Sequence, residues 1–145
     1  MSCVRARLSA VVGVDIDPDA LTIAQENLSE LEIDNVDLVN ADVTRAPLWR
    51  CGQLFDTVVM NPPFGTKTRG VDMHFLRAGW EACTGAVYSL HKTSTREHIF
   101  KKAREWGASI EVVAELRYNL DATYKFHKQR SVDIEVDLLR LSRVL

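Results

Sequence analysis

Short apolar runs alternate with amphipathic stretches along most of this chain. Val11 to Val14, Val36 to Val39 and Phe55 to Met60 each have strand length. After the first run, apolar side chains recur at helical spacing at Leu21, Ala24, Leu28 and Leu31. Because a strand followed by an amphipathic helix is the unit of a parallel sheet, the pattern predicts an α/β fold.

Local signals predict where the helices begin and end. Asp17 is placed to cap the first helix, with Pro18 at its first position, and Asp72 is placed to cap the second. Ser94 to Glu97 has the form of a capping box, and Gly107 is placed to end the third helix. The predicted buried faces of these two later helices are Met73, Leu76, Trp80 and Cys83, and then Ile99, Phe100, Ala103 and Trp106.

The last third of the chain has a different pattern. After a strand predicted at Ala86 to Leu90, the stretches Ile110 to Leu116 and Val132 to Leu141 follow each other without a helix between them. They predict a terminal antiparallel pair of strands. In the final strand apolar residues alternate with acidic ones, which predicts a solvated face carrying Asp133, Glu135 and Asp137.

Composition limits the class of protein. The chain has 145 residues, 46% of them apolar, and a net charge of −2, which suits one globular domain over residues 1–145 and excludes a general polycation. Its three cysteines lack the spacing of a zinc site or a disulfide framework. We therefore expect the protein to bind no metal. No apolar run is long enough for a membrane span, so we expect an intracellular protein, in the nucleus or cytoplasm.

The tetrapeptide Asn61-Pro62-Pro63-Phe64 directly follows the third apolar run. The Asn61 side-chain carbonyl and the Pro62 main-chain carbonyl are two acceptors on one rigid turn, and they suit the two N–H groups of a planar exocyclic amine. Phe64 offers a face on which a flipped-out base stacks. The alternative is an ordinary proline turn, but the position after a buried strand favours catalysis of methyl transfer.

Carboxylates follow the first two strands. Asp15 ends the first strand and is a candidate for the ribose of a nucleotide, since Asp17 already fills the helix cap. Asp42 follows the second strand and is a candidate for the exocyclic amine of the same adenosine. A calcium loop starting at Asp15 is excluded because Ala20 replaces the turn glycine and a strand precedes the acidic residues.

A basic cluster interleaved with aromatic residues lies between the last two strands. It has the composition of a nucleic-acid contact loop, and a solvated hairpin loop is an equal alternative. Lys67 and Arg69, just after Phe64, are further candidates for phosphate contacts, and His91 is either a site residue or a structural one. The cluster consists of Lys125, His127, Lys128 and Arg130, with Tyr124 and Phe126 between them.

Together these motifs resemble class I S-adenosylmethionine-dependent methyltransferases, and more closely the methyltransferase-like protein 5 family, which methylates adenine N6 in small-subunit ribosomal RNA. The resemblance implies that Asp15, Asp42 and Val43 contact S-adenosylmethionine and that Asn61 to Phe64 hold the target adenine. It also implies a heterodimer with a small zinc-binding activator protein, which adds a strand to the edge at Val36 to Val39. The motifs are VDIDPDAL, FDTVVMNPPFGTK, AVYSLHK, STREH, AELRY and YKFHKQRSVDIEVDL.

The sequence departs from this family at its start. The family begins with an extension, a first strand and a glycine-rich Asp-x-Gly-x-Gly loop, and Met1 to Ala10 does not replace them. We therefore expect a Rossmann-like sheet with a terminal antiparallel hairpin that lacks the first strand and the glycine-rich loop. We predict that the chain corresponds to the C-terminal two-thirds of such an enzyme. It is expected to keep the base-binding half of the site and to have little or no methyltransferase activity alone.

Two further functions remain open at this point. Asn-Pro-Pro-aromatic turns also serve methylation of protein glutamine and of the guanine exocyclic amine, because both present a planar nitrogen. The chain is alternatively a non-catalytic form that binds RNA or the activator without turnover.

Overall fold

The computed structural model describes residues 10–45, 55–64, 70–121 and 131–143. Within the chain there are two compact units, Met1–Leu48 and Trp49–Leu145. Among the described residues no helix is long and apolar enough to cross a membrane.

The first unit is one βα unit followed by a second strand. Strand β1 (Val11–Asp15) leads into helix α1 (Pro18–Glu30), and β2 (Val36–Asn40) lies parallel to β1. The predicted cap is confirmed, since the Asp17 carboxylate accepts the N–H of Asp19 at 3.0 Å. The strands are in register from Val11 beside Val36 to Asp15 beside Asn40, so their carboxyl ends lie at one edge.

The second unit is a four-stranded mixed sheet in the order β3-β4-β6-β5. Strands β3 and β4 are parallel, and β6 is antiparallel to both β4 and β5, which confirms the predicted terminal antiparallel pair. The elements of this unit are β3 (Phe55–Met60), α2 (Val71–Ala82), β4 (Cys83–Lys92), a short 3-10 helix (Thr93–Thr95), α3 (Arg96–Glu105), β5 (Ala108–Asp121) and β6 (Ser131–Arg143).

Side chains from α2, α3 and the strands form the core of the second unit. Leu76 and Trp80 come from α2 and Ile99 from α3, and they pack with Val87 of β4 and Leu139 of β6. Gly107, with φ of 75°, follows α3 and lets the chain turn into β5, which agrees with its predicted position. The predicted helix faces therefore identify core residues correctly.

Two of the predicted helix starts are wrong. Helix α2 is preceded by Gly70, which makes no side-chain cap bond, and Asp72 is inside the helix, where its carboxylate lies 3.6 Å from the ring nitrogen Nδ1 of His91. Ser94 does not cap α3, because residues 93–95 form a 3-10 turn and no side chain caps at Thr95. The helix face assigned to α2 also ends too late, since Cys83 is the first residue of β4.

The prediction of a solvated acidic face in β6 is wrong at Asp137. Its side chain has no exposed surface, because Arg96 and Thr93 from the segment at the start of α3 cover it and donate hydrogen bonds to it. Glu135, two residues earlier on the same strand, is exposed as predicted. A period of two assigns residues to a face of the strand, but a neighbouring element decides whether that face meets water.

Candidate functional site

The Asn-Pro-Pro-Phe turn leaves the sheet at the carboxyl end of β3. Met60, the last residue of β3, lies beside Ser89 of β4, so the turn runs on past the final residues of β4. Asn61 and Pro63 are exposed, whereas Pro62 is buried and Phe64 is half-buried. The turn therefore has a buried anchor at Pro62, with an exposed Asn61 before it and a half-buried aromatic ring two residues after it.

Lys92, the last residue of β4, adds a positive charge to this turn. Its ammonium nitrogen lies 6.0 Å from the centroid of the Phe64 ring, at the outer limit of a cation–π contact. The sequence places Lys92 at the end of a strand but gives it no role. The signal that identifies it is the period of two in β4, in which Val87, Ser89 and His91 are buried and Lys92 is not.

His91 lies inside the protein. Its side chain is 1% exposed, its Nε2 shares a hydrogen bond of 2.8 Å with the Ser89 hydroxyl, and its Nδ1 faces the carboxylate of Asp72. Burial lowers the pKa of His91, and the nearby carboxylates of Asp72 and Asp137 oppose this effect. His91 thus joins the end of β4 to the start of α2, the helix that follows the Asn-Pro-Pro-Phe turn in sequence.

A second polar network adjoins His91 from β6. Asp137 lies directly opposite His91 in the antiparallel register, and Thr93 donates a hydrogen bond of 2.8 Å to its Oδ1. Arg96 donates two hydrogen bonds to the same carboxylate and a third to Glu115 at 2.8 Å. The bonds from Arg96 lower the pKa of Asp137, against the effect of burial, so the group is a buried carboxylate.

In the first unit the structure brings the two predicted cofactor carboxylates to one sheet edge. The Asp15 carboxylate accepts the main-chain N–H of Asp17 at 2.9 Å. The Asn40 side chain, for which the sequence pattern predicts no role, donates to the main-chain carbonyls of Asp15 at 3.2 Å and Ile16 at 3.0 Å. These bonds fix the turn after β1 and the orientation of the Asp15 carboxylate.

Asp42 has more local partners than Asp15. Its Oδ1 accepts bonds from the Thr44 hydroxyl at 2.6 Å and the Thr44 N–H at 2.9 Å, and its Oδ2 lies 3.3 Å from Arg45. The hydroxyl bond from Thr44 is the main reason that the pKa of Asp42 is lowered. Val43, beside it, is half-buried. Asp42 is therefore a rigid, ionised acceptor at the end of β2.

The predicted nucleic-acid residues Lys67, Lys125, His127, Lys128 and Arg130 lie outside the residues that the structure describes. The same holds for Arg69. Their role stays a prediction.

A mixed sheet with parallel strands, helices between them and polar turns at the strand ends is the fold of class I methyltransferases. The crystal structure of the candidate RNA methyltransferase PH1948 from Pyrococcus horikoshii matches this chain with a TM-score of 0.78 and 29% identity, over 94% of this chain and 65% of that one. The class I methyltransferase fold expected from the sequence is thus confirmed.

Comparison of sequences identifies the family. The family model of the RMKL-like methyltransferase domain matches residues 2–77, and the chain belongs to that family. It is 55% identical to the rRNA N(6)-adenosine-methyltransferase METTL5 of Danio rerio over 90% of this chain, and 57% identical to Mettl5 of Drosophila melanogaster over 89%. The resemblance to methyltransferase-like protein 5 is confirmed. The chain spans 63% and 61% of the lengths of these two relatives.

Proposed function

We propose that this chain carries the adenine-holding part of an S-adenosylmethionine-dependent methyltransferase that acts on adenine N6 of small-subunit ribosomal RNA. The observation that carries the proposal is a single turn that combines an exposed Asn61, a buried Pro62 and a half-buried Phe64. The similarity to two rRNA N6-adenosine methyltransferases supports adenine as the base.

This turn suits the chemistry of an exocyclic amine. The lone pair of adenine N6 is delocalised into the ring, so the amine attacks poorly until acceptors hold its two N–H groups. The side-chain carbonyl of Asn61 and the main-chain carbonyl of Pro62 supply these acceptors. Phe64 stacks on the base and keeps it in line with the methyl donor, because alignment rather than acid or base catalysis limits such a transfer.

S-adenosylmethionine, when bound, supplies an electrophilic methyl group on sulfur. The residues proposed to hold its adenosine part are Asp15, Asp42 and Val43 in the first unit. Asp15 is exposed and oriented by the bond from Asp17, which suits the two ribose hydroxyls. Asp42 is an ionised acceptor, which suits the amine of the cofactor's adenine.

Two partners follow from the same proposal. Ribosomal RNA is proposed as the substrate, and the predicted basic loop is proposed as a second contact with it. A protein that acts on ribosomal RNA is expected in the nucleus or cytoplasm. The zinc-binding activator protein is proposed to add a strand to β2. Among the described residues β2 has one hydrogen-bonded neighbour, β1, so its other edge is the natural place for an added strand.

The test measures how the chain binds RNA that differs at a single amine. Three short single-stranded RNAs carry adenine, N6-methyladenine or N6,N6-dimethyladenine at one position, and fluorescence anisotropy reports their affinities. The dimethylated base has no N–H to donate, so we expect it to bind about tenfold more weakly than adenine, since two hydrogen bonds are lost. The Asn61→Ala variant is expected to bind the three RNAs more nearly equally.

A transfer assay separates the alternatives. The chain, with and without the activator, is given labelled S-adenosylmethionine and either ribosomal RNA or a glutamine-containing peptide. Label at adenine N6 that is lost in Asn61→Ala supports the proposal, whereas label in the peptide favours a glutamine methyltransferase. Selective binding of adenine without transfer favours the non-catalytic alternative, and equal binding of all three RNAs contradicts the proposal.

A further inference from the structure

An open cavity lies in the second unit at the carboxyl end of β4. It has a volume of about 470 Å³. Its walls come from the end of β4, the turn before α3 and the facing strands β5 and β6. The lining residues are Lys92, Ser94, Arg117, Ile134 and Glu135.

The lining is mainly cationic and rich in hydrogen-bond donors. Lys92 and Arg117 contribute two positive charges, Glu135 contributes one negative charge, and Ser94 adds a hydroxyl. Arg117 and Glu135 lie opposite each other on adjacent strands, so the negative charge of Glu135 reduces the positive charge of the lining. An ammonium, a guanidinium and a hydroxyl directed at one space form a donor set that suits a phosphate group.

The neighbouring Arg96 does not contribute to this donor set. Its guanidinium donates to Asp137 and Glu115, and these two carboxylates balance its charge. Among the described residues that line the cavity, the positive charge is therefore carried by Lys92 and Arg117.

The cavity is connected to the Asn-Pro-Pro-Phe turn through Lys92. This residue lines the cavity, and its ammonium nitrogen lies 6.0 Å from the centroid of the Phe64 ring. Lys92 is thus the one lining residue with a measured contact to the Phe64 ring, and it links a base stacked on that ring to an anion in the cavity. A nucleotide carries both groups, a base and a phosphate.

We propose that this cavity binds a backbone phosphate of the RNA strand adjacent to the adenine held at Phe64, with Arg117, Lys92 and Ser94 as its donors. The inference rests on the proposed function, because the nucleotide at Phe64 determines which phosphate reaches the cavity. It assigns to Arg117 a role in positioning the strand, separate from the chemistry at Asn61. Lys92 serves both the ring and the phosphate.

The experiment measures RNA affinity as a function of salt concentration. Full-length chain is titrated with a short single-stranded RNA containing one adenine, by fluorescence anisotropy. The key variant is Arg117→Gln, because Arg117 lines the cavity and is separate from the Asn61–Phe64 turn. Removing one phosphate contact on a single strand is expected to reduce the slope of log affinity against log salt by about 0.7 and to weaken binding severalfold at low salt.

Two matched variants show whether the effect belongs to the cavity. Lys101→Gln removes one exposed positive charge from α3 at a residue that does not line the cavity, and it is expected to leave the salt slope nearly unchanged. Glu135→Gln removes the negative charge of the lining and is expected to strengthen binding. Circular dichroism melts confirm that each variant is folded.

The outcomes distinguish this inference from the proposed function. Equal salt slopes for Arg117→Gln and Lys101→Gln, or weaker binding by Glu135→Gln, overturn the phosphate site while leaving the adenine site intact. If Arg117→Gln lowers the salt slope but the wild-type chain shows no preference for adenine over N6,N6-dimethyladenine, the phosphate site is supported and the adenine site is overturned. If the wild-type chain does not bind the RNA, both are overturned.

Discussion

The guanidinium of Arg96 donates hydrogen bonds of 2.7 Å to both carboxylate oxygens of Asp137, a side chain with no exposed surface. The contact joins the start of α3 to the middle of the sheet. Because Asp137 also lies opposite His91, it stabilises the end of β4, next to the Asn-Pro-Pro-Phe turn. The stability of the proposed site therefore depends on an ion pair that the sequence pattern assigned to solvent.

Removing one partner of this pair is expected to be costly. Asp137→Ala leaves the Arg96 guanidinium without its main partner and is expected to lower the free energy of unfolding by about 3 kcal/mol, at the lower end for buried pairs because Arg96 remains partly exposed. Urea denaturation measures the change. Glu135→Ala, an exposed acidic residue on the same strand, is the control and is expected to change stability by about 0.5 kcal/mol or less. Similar losses for both variants would contradict the buried role of Asp137.

The stability of the second unit is expected to fall as pH drops below the ordinary His pKa of 6.5. Burial holds the pKa of folded His91 below this value, so the unfolded chain binds a proton more readily and gains stability relative to the folded chain as pH falls. Urea denaturation at several pH values between about 7.5 and about 5 measures the slope.

His91→Gln is expected to flatten this dependence, whereas His98→Gln, at an exposed histidine of α3, is expected to leave it unchanged. A second loss of stability, caused by protonation of the Asp137 carboxylate, is expected at lower pH. The pKa of Asp137 is lowered from 3.8, so its contribution is complete above that value and is lost as pH falls through the folded pKa. An unchanged slope in His91→Gln would show that His91 is not the titrating group.

Two glycines of the second unit are expected to respond differently to alanine. A Cβ at Gly85 would overlap the main-chain carbonyl oxygen of Asp56 on β3, which cannot move without disturbing the strand pair. A Cβ at Gly79 in α2 would meet the terminal methyl of Met60, which can rotate away. We expect Gly85→Ala to cost about 2 kcal/mol.

Gly79→Ala is expected to remain within about 1 kcal/mol of the wild type, because the improved helix propensity of alanine offsets the tighter packing. Thermal denaturation of the two variants side by side measures the difference. A larger loss at Gly79 than at Gly85 would contradict the distinction between a flexible neighbour and a main-chain one.

Phe64 is expected to act through the face of its ring. Phe64→Ala should weaken binding of a single-stranded RNA by about 1 to 3 kcal/mol, that is, roughly 5-fold to 150-fold. Phe64→Tyr keeps a ring of similar size and is expected to retain most of the affinity. Fluorescence anisotropy at one fixed salt concentration compares them, and an alanine variant that binds as well as wild type would exclude stacking.

The sequence alone determined the order of helices and strands, the core faces of α2 and α3 and the position of the Asn-Pro-Pro-Phe turn at the end of β3. In α1 it identified the buried Leu28 but not the exposure of Leu31, which is 66% exposed. These features follow from local properties: the period of apolar residues, the fixed φ of proline and the length of a strand. The Asp17 cap was predictable for the same reason, since its partner Asp19 is two residues away.

Only the tertiary structure decided which polar residues are buried and which neighbours they contact. The sequence predicts Asp72 as a helix cap and Asp137 as a solvated carboxylate, yet Asp72 faces His91 and Asp137 pairs with Arg96, 41 residues earlier in the chain. The period of two in β4 leaves Lys92 outside the core, but its contact with Phe64 depends on the pairing of β3 with β4, and its place in the cavity depends on the pairing of β4 with β6. Local sequence sets the period of a strand, but the elements packed beside it determine whether each side chain meets core, partner or solvent.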